Sequence, residues 1–436
     1  MNQVVTARPV GFWFVDMPFT RAHVISGLVL FVVFVFESWE MMIIILNSAS
    51  IAAEFNLTTA QIGSLIGSLF LGMIPGALIW GRLGDRWGRK RCIMLSLGLY
   101  APIPLLSSVA PSLEVLWWLR FSGGIFLVGA LVVTFPFFEE LMPVKSRGRA
   151  TVYLSAGWPV GVLVAVAVTS LGIDLGWRWT IGFSSVAGLW LLAVYRWVPE
   201  SPYWLAGQQR DEEANQSILR LSRGSVRATC LSSPVAQQDR SSFWSIFRQP
   251  VTRITALQTV VNFCFSWGYW AMASWMPTLL AKRGLSAPEG LGFIAVSACF
   301  MFPGYITASY LTGRIGRKKT MQIFVFIAAV AGFGFATSES LAQMYTWNFM
   351  LSFFSLGAWG VWNTWLGEIY ATEIRATGVA WGVSMQRVAN ALAPVVIGAM
   401  LATTTFLQTV MFISAFLVIT FVTALFLPET EGKVLN

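Results

Sequence analysis

Hydrophobic residues form long runs along most of the chain, with short polar stretches between them. A helix that crosses a bilayer needs about 20 mainly apolar residues, and these runs are close to that length. The pattern therefore predicts an all-α membrane protein. Its twelve expected transmembrane helices lie at residues 22–48, 58–80, 91–110, 112–140, 147–172, 179–198, 251–280, 287–311, 318–337, 341–370, 376–402 and 406–427.

A single longer polar stretch, rich in Ser, Gln and Arg, separates the sixth run from the seventh. It predicts three units: an N-terminal six-helix bundle at 1–205, a cytoplasmic linker at 206–249 and a C-terminal six-helix bundle at 250–436.

The composition excludes several classes of protein. Of the 436 residues, 56% are apolar and 11% charged, and the mean hydropathy is +0.67. Soluble domains carry about 25% charged residues, so a soluble enzyme, a nucleic-acid-binding domain and a disordered chain are excluded. The chain has one histidine, His23, and its four cysteines form no CxxC pair. We find no nucleophile–base pair or metal cluster, and expect no enzyme activity, cofactor or metal.

The positive charges follow the predicted spans. Lys and Arg concentrate at both termini and in the even-numbered loops, whereas only Arg178, Lys282 and Arg283 fall in odd-numbered loops. Positive residues remain on the cytoplasmic side of a membrane. We therefore expect a protein of the plasma (inner) membrane with both termini in the cytoplasm. The basic excess is a topology signal, and no nucleic-acid partner is expected.

Three motifs occur twice at nearly one separation, which indicates duplication of a six-helix unit. Residues 81–90 recur, degraded, as 313–319, with Gly81 aligned to Gly313. Glu140 with Arg147 recurs as Glu368 with Arg375, and 199–201 recur as 428–430. An even number of spans per unit places both copies in the same orientation, as in one large class of transporters.

Residues 81–90, Gly-Arg-Leu-Gly-Asp-Arg-Trp-Gly-Arg-Lys, resemble the signature of the major facilitator superfamily between spans two and three. Residues 199–205 resemble a stretch after span six in the sugar-porter, organic-ion and synaptic-vesicle-protein-like branches. Residues 374–378 resemble an element of the aromatic-acid and organic-ion branch, and residues 37–40 lie where aromatic-acid:proton symporters have an acidic pattern. The resemblance implies the fold of that superfamily and a monomeric carrier in the lipid bilayer.

The resemblance also implies a conformational latch that joins the two halves on the cytoplasmic side when the carrier faces outward. The second copy lacks the aspartate, so a weaker latch is expected there. The alternative is a basic turn that only sets topology. The expected latch residues are Gly81, Gly84, Asp85, Arg86, Gly88, Arg89, Glu140, Arg147, Glu368 and Arg375.

Two acids and two arginines lie inside spans, where a charge costs roughly 2.5–3.5 kcal/mol. Glu37 and Glu40 share one face of span one, and a carboxyl that can gain and lose a proton suits proton coupling. Arg120 and Arg387 offer a guanidinium fork that fits a carboxylate, so both are expected to bind substrate. Alternatively, the acids only pair with Arg120, or Arg387 pairs with an acid across the cavity.

Aromatic and amide residues in spans seven and ten predict a wall for a flat, partly polar solute, although ordinary helix packing is the alternative for each of them. The expected binding residues are Trp267, Trp270, Trp359, Trp362, Asn262 and Asn363.

These features together predict a symporter that imports a small organic anion, an aromatic or heterocyclic carboxylate, with a proton. Span five lacks the Gly-Pro element of many drug:proton antiporters in the superfamily, which favours symport. The alternatives are an organic-cation or sugar-like solute carrier of the same fold, or a proton-driven exporter.

Overall fold

The computed structural model describes residues 8–227, 231–232, 243–370 and 372–430, and nearly all of them are helical. The first half contains α1 Val10–Val15, α2 Arg21–Leu46, α3 Ser48–Phe55, α4 Thr59–Trp87, α5 Arg89–Tyr100, α6 Pro102–Ser108, α7 Leu113–Leu141, α8 Val144–Ser155, α9 Gly157–Leu171, α10 Gly176–Phe183 and α11 Trp190–Trp197. The chain continues with α12 Pro202–Gly207, α13 Asp211–Ser222, α14 Thr252–Ala281, α15 Ala287–Ile315, α16 Arg317–Ala336, α17 Leu341–Glu368, α18 Thr372–Met400 and α19 Phe406–Ala424. Short 3-10 helices cover Ser184–Leu189 and Phe243–Phe247, and strand β1 Arg8–Pro9 pairs in parallel with β2 Leu231–Ser232.

The helices reproduce the twelve predicted spans. Eight spans are single helices, α4, α7 and α14 to α19, whereas spans one, three, five and six each consist of consecutive segments. Within the described residues, nine helical segments are long and apolar enough to cross a membrane. Helices α14 and α17 are long enough but less apolar, because they carry several tryptophans and amides. The helices of span six are too short, because a 3-10 segment interrupts the span. The predicted fold class is confirmed.

Part of the segment predicted as a linker is ordered helix. Helix α13 packs beneath the start of α2, where Thr20 Oγ1 donates to the carbonyl of Leu221 at 2.6 Å. The guanidinium of Arg220 donates to the carbonyl of Arg196 at 2.6 Å. These bonds attach α13 to the N-terminal bundle. The domain boundaries themselves remain a prediction.

Each half has a basic side, where Arg89 begins α5 and Arg317 begins α16. The junctions before these helices are alike: Gly88 has φ +100° and Gly316 has φ +92°. This likeness corrects the alignment made from the sequence, because Gly316 corresponds to Gly88 and not to Gly84. The corrected register agrees with the separation of the other two repeated motifs.

On the side opposite the basic side, the two halves meet closely where α4 crosses α18. A Cβ atom added at Gly63 would lie 2.2 Å from the carbonyl oxygen of Pro394, and one at Gly67 would lie 2.6 Å from that of Ala391. Both distances are far below van der Waals contact, so only glycine permits this approach. The crossing closes the space between the halves on this side.

We expect the substitution Gly63→Leu to hold the halves apart on the side opposite the basic side. The measurement is labelling of a cysteine placed at Val395, beside Gly63, by a membrane-impermeant maleimide in a background without the native cysteines. Labelling should increase severalfold. The control is Gly292→Leu, because an added Cβ there meets nothing within 4 Å. Equal labelling of both variants would show that the crossing does not control access.

Candidate functional site

The carboxylate of Glu40 lies in a buried charge pair inside the N-terminal bundle. It accepts a hydrogen bond from the Tyr100 hydroxyl on α5, and Arg120 Nη1 on α7 lies 3.4 Å from its Oε2. Arg120 Nη2 also donates to the Glu40 carbonyl at 3.1 Å. The side chains of Glu40 and Arg120 are 0% and 2% exposed. This is the internal pairing considered as an alternative, so the role of Arg120 as a substrate ligand remains a prediction.

Glu37, one helical turn earlier, has different surroundings. Its Oε2 is buried without a hydrogen-bond partner among the described residues. The charge that acts on it is that of Arg387, on α18 of the other half. No ion pair within 4 Å joins these two described residues.

Arg387 lies deep in the protein but is only half-buried. Its Nη1 is 3.9 Å from the sulfur of Met73 on α4, which is a weak acceptor. The guanidinium therefore retains most of its capacity to donate hydrogen bonds. The charges of Glu37, Glu40, Arg120 and Arg387 sum to zero, but among these four described residues only Glu40 and Arg120 are in direct contact.

Aromatic side chains join the halves beside these charges. The ring of Trp270 on α14 meets Phe70 of α4 edge-on at 4.6 Å between centroids, and Trp158 of α9 at 5.5 Å. Trp158 Nε1 donates to the hydroxyl of Tyr269 at 3.0 Å across the interface. Trp359 is half-buried, with its ring 5.8 Å from that of Tyr269. The structure thus places Trp270 at the interface between the halves, and Trp359 beside Tyr269 within the C-terminal half.

A buried amide network lies between α14, α17 and α18. Asn262 Oδ1 accepts from Trp362 Nε1 at 2.9 Å and from Gln386 Nε2 at 2.7 Å, and its Nδ2 donates to the Gln258 carbonyl at 2.7 Å. Gln386 precedes Arg387 in the chain, so the network fixes the backbone that carries this arginine. The Asn262 amide and the Trp362 indole, which were both expected to contact a solute, thus hydrogen-bond each other.

Two of the residues expected at the site lie elsewhere. The ring of Trp267 stacks between Phe263, at 5.6 Å, and Phe416 of α19, at 4.8 Å, so it packs on the outer helix. Asn363 is exposed and forms no hydrogen bond with another described residue. It points away from the amide network because one residue turns a helix by about 100°, and Trp362 occupies the inward position.

Sequence reasoning missed four residues of this region: Tyr100, Trp158, Tyr269 and Gln386. They are neutral, and neutral polar residues occur throughout the spans. A buried glutamine inside a span was the one signal that could have identified Gln386, because an amide in lipid needs a partner.

The predicted latch residues of the first half form a network on the basic side. Arg89 Nη1 is 2.8 Å from Asp85 Oδ1, and Nη2 is 3.4 Å from Glu140 Oε1. Glu200 Oε1 accepts the backbone N–H groups of Arg89, at 3.0 Å, and Lys90, at 3.1 Å. Burial raises the pKa of Glu200. This carboxylate therefore caps the start of α5.

The second half repeats this network. Arg317 Nε and Nη2 each lie 3.0 Å from the carboxylate of Glu368, and Glu429 accepts the N–H groups of Arg317 and Lys318, both at 3.1 Å. The second copy lacks an equivalent of Asp85, but its arginine–glutamate contact is two-pronged and shorter than the first.

The remaining latch candidates are distributed around these networks. Arg147 donates to the Tyr203 hydroxyl at 3.2 Å, and Arg375 Nε donates to the Tyr370 carbonyl at 3.3 Å. Gly84 packs near Val133 of α7, whereas Arg86 is exposed and an added Cβ at Gly81 meets nothing within 4 Å. Each of these contacts joins residues of the same half, so a latch between the halves remains a prediction.

We expect the substitutions Glu200→Ala and Glu429→Ala to destabilise the protein to a similar extent. Each removes the acceptor of two backbone N–H groups at a helix start, and loss of such a cap costs about 0.5–2 kcal/mol. Thermal unfolding in detergent measures the effect. Glu213→Ala is the control, because it removes only an exposed pair with Arg210. A change in only one of the two variants would contradict the equivalence of the repeated caps.

Comparison with known proteins adds to this geometry. The family model of the Major Facilitator Superfamily matches residues 28–344. The chain is 30% identical over 427 residues to a niacin transporter of Acinetobacter baylyi, with 97% of each chain covered. It is 25% identical to a 3-(3-hydroxy-phenyl)propionate transporter of Escherichia coli, with 85% of each covered. Its fold is similar to a partially occluded inward-open structure of the xylose transporter from E. coli, with a TM-score of 0.77, 18% identity and coverage of 95% of this chain and 100% of the other.

Proposed function

Because the chain belongs to the major facilitator superfamily, a family of membrane transporters, we propose that it imports a small aromatic or heterocyclic carboxylate together with a proton. Niacin and 3-(3-hydroxyphenyl)propionate, named for two of its relatives, are both aromatic monocarboxylates. The substrates named for these relatives support the proposal, and the charges of Glu37 and Arg387 supply a mechanism for it.

The observation that carries the proposal is the environment of Arg387. It is a permanent cation, deep between the halves, half-buried and without an acid in direct contact among the described residues. A guanidinium forms two parallel hydrogen bonds with a carboxylate. A substrate carboxylate is therefore the natural ligand of Arg387, and the aromatic residues Trp270 and Tyr269 nearby provide surfaces for a ring.

Glu37 couples a proton to this binding step. In the empty carrier, the ionised carboxylate of Glu37 and the guanidinium of Arg387 compensate each other across the interface. When a substrate carboxylate binds Arg387, Glu37 loses this compensation. A buried, uncompensated carboxylate is costly, so Glu37 takes up a proton. A monoanion and one proton then cross together with no net charge moved.

Glu40 has a structural role in this mechanism. Its charge is already balanced by Arg120 and it accepts a hydrogen bond from Tyr100, so its environment does not change when a ligand binds Arg387. The pair holds α2, α5 and α7 together. Of the two acids expected to couple protons, the mechanism assigns that role to Glu37.

The transport cycle alternates access between the two sides of the membrane. The crossing of α4 and α18 closes the side opposite the basic side, so this conformation offers the site to the basic side. We assign the basic side to the cytoplasm, because positive loops remain inside, and the membrane to the plasma (inner) membrane. The carrier acts as a monomer of two bundles, residues 1–205 and 250–436.

An organic-cation carrier is the main competing function. It would use Glu37 and the aromatic residues to bind an ammonium group. Arg387 opposes it, because a like charge in a buried site costs several kcal/mol. A single transport assay separates the two functions.

The test is uptake of labelled nicotinate into proteoliposomes. We expect accumulation only when the outside is more acidic than the inside, and competition by unlabelled benzoate but not by tetraethylammonium. Uptake that ignores the pH gradient would overturn the proton coupling. Inhibition by tetraethylammonium alone would overturn the anion assignment.

A further inference from the structure

A cavity of about 70 Å³ lies between α2, α9, α14, α15 and α17. Tyr269, which bonds to Trp158 across the interface, is part of its wall. Asn390, one turn after Arg387 on α18, lies within 3.2 Å of the indole nitrogen of Trp270 when its amide is oriented to accept from it. The cavity thus borders the aromatic layer beside Arg387. None of the described residues that line it is charged.

One wall of the cavity is polar. Asn348, Ser352 and Ser355 follow each other at intervals of four and three residues on α17, so they lie on one face of the helix. We call them the α17 polar stripe. All three line the cavity, and they are 2%, 9% and 2% exposed.

The stripe has hydrogen-bonding capacity that the protein does not use. Asn348 Nδ2 donates to Ser297 Oγ at 2.5 Å, and Ser297 Oγ donates to the Phe293 carbonyl at 2.7 Å. This chain orients the amide. The hydroxyls of Ser352 and Ser355, by contrast, bond to no other described residue. Both serines line the cavity, so their hydroxyls can hydrogen-bond with an atom that enters it.

The rest of the lining is mostly apolar. It includes four methionines, Met42, Met272, Met276 and Met301. Thioethers adapt to irregular shapes and contact the edges of aromatic rings favourably. A site lined by hydroxyls and thioethers suits the polar edge of a flat ring. It does not suit a carboxylate, because no cation is present among the described residues that line it.

We propose that this cavity receives the polar edge of the substrate ring, and that Ser352 and Ser355 bind a polar ring atom there, such as a pyridine nitrogen or a phenolic hydroxyl. A space of about 70 Å³ is about half of an apolar cavity that holds a whole benzene molecule, so only part of the ring enters it. This inference rests on the proposed function. Arg387 binds the carboxylate, and the α17 polar stripe hydrogen-bonds the opposite edge of the ring. A site built to hydrogen-bond a substrate atom discriminates against analogues that lack it. The stripe therefore determines specificity between heterocyclic or hydroxylated rings and plain benzene rings.

Nicotinate and benzoate test this inference, because they share the carboxylate and differ in the ring nitrogen. Their dissociation constants are measured by calorimetry on the purified full chain and on Ser352→Ala and Ser355→Ala. Wild type is expected to prefer nicotinate. One of these variants should lower the preference by roughly fivefold, the value of one hydrogen bond, while benzoate binding changes less than twofold. Ser414→Ala, which removes a buried and unpaired hydroxyl on α19, is the matched control and should keep the wild-type preference.

The outcomes separate this inference from the proposal on which it rests. If both carboxylates bind and the preference is absent, or is the same in the two serine variants as in wild type, the stripe does not read the ring, and the carboxylate carrier stands. If neither carboxylate binds wild type, the carrier proposal fails, and the assignment of the cavity fails with it. A loss of preference in Ser414→Ala as well would also overturn the inference, because the effect would then be non-specific.

Discussion

Substitution of Arg387 by alanine is expected to weaken the binding of nicotinate or benzoate by more than tenfold. Removing one partner of a buried charged hydrogen bond costs about 2–5 kcal/mol, and about 1.4 kcal/mol is already tenfold in the dissociation constant. Arg387→Lys should recover only part of the affinity, because an ammonium group cannot form the two parallel bonds of the guanidinium fork. Calorimetric titration in detergent measures both variants.

The loss must come from the missing cation and not from misfolding. Arg387→Ala also leaves Glu37 without its compensating charge, so the double variant Arg387→Ala, Glu37→Gln is needed to separate folding from binding. It should recover thermal stability but not carboxylate affinity. Arg283→Ala, which removes a cation stacked at 4.1 Å on Phe406, should bind as wild type does. A quaternary ammonium that binds wild type, and binds Arg387→Ala equally well, would contradict the anion assignment.

The spans could be predicted from the sequence because the bilayer imposes a length and an apolar composition on every crossing. The same constraint carries no information on register within the repeat. The sequence alignment followed the Gly-Arg-Leu-Gly run at 81–84, which resembles Gly-Arg-Ile-Gly at 313–316. The register with Gly88 on Gly316 instead matches Gly-Arg-Lys at 88–90 with the same three residues at 316–318. The positive φ of Gly88 and Gly316, and the caps that Glu200 and Glu429 provide, identify the correct register.

The charged residues of the candidate site were identifiable for a related reason. Charges inside spans are expensive and rare, so Glu37, Glu40, Arg120 and Arg387 stood out. The sequence offered several pairings among them but could not choose one, because the choice depends on how α2 is rotated against α5, α7 and α18. The spacing of Glu37 and Glu40 places them on one face of α2. Glu40 nevertheless pairs with Arg120 in its own bundle, whereas the charge that acts on Glu37 is that of Arg387 in the other half.

The different surroundings of Glu37 and Glu40 lead to a second prediction, on proton coupling. Glu37→Gln should abolish the accumulation of substrate driven by a pH gradient, because a glutamine cannot take up a proton when the carboxylate binds Arg387. For electroneutral transport of one proton with one monoanion, a gradient of one pH unit sustains about tenfold accumulation. In Glu37→Gln this factor should fall to one, while exchange of substrate at equal concentrations continues.

Glu40→Gln is the matched variant, since it makes the same change one helical turn away. It removes the partner of the buried Arg120, and breaking a buried ion pair costs about 3–5 kcal/mol, so thermal stability should fall steeply. Correctly folded Glu40→Gln protein should still accumulate substrate under the gradient. It retains Glu37, which takes up the proton when the substrate carboxylate binds Arg387. Normal accumulation by Glu37→Gln would contradict the coupling mechanism. Loss of proton coupling in folded Glu40→Gln would also contradict it, because the proton site would then be the Glu40–Arg120 pair and not Glu37.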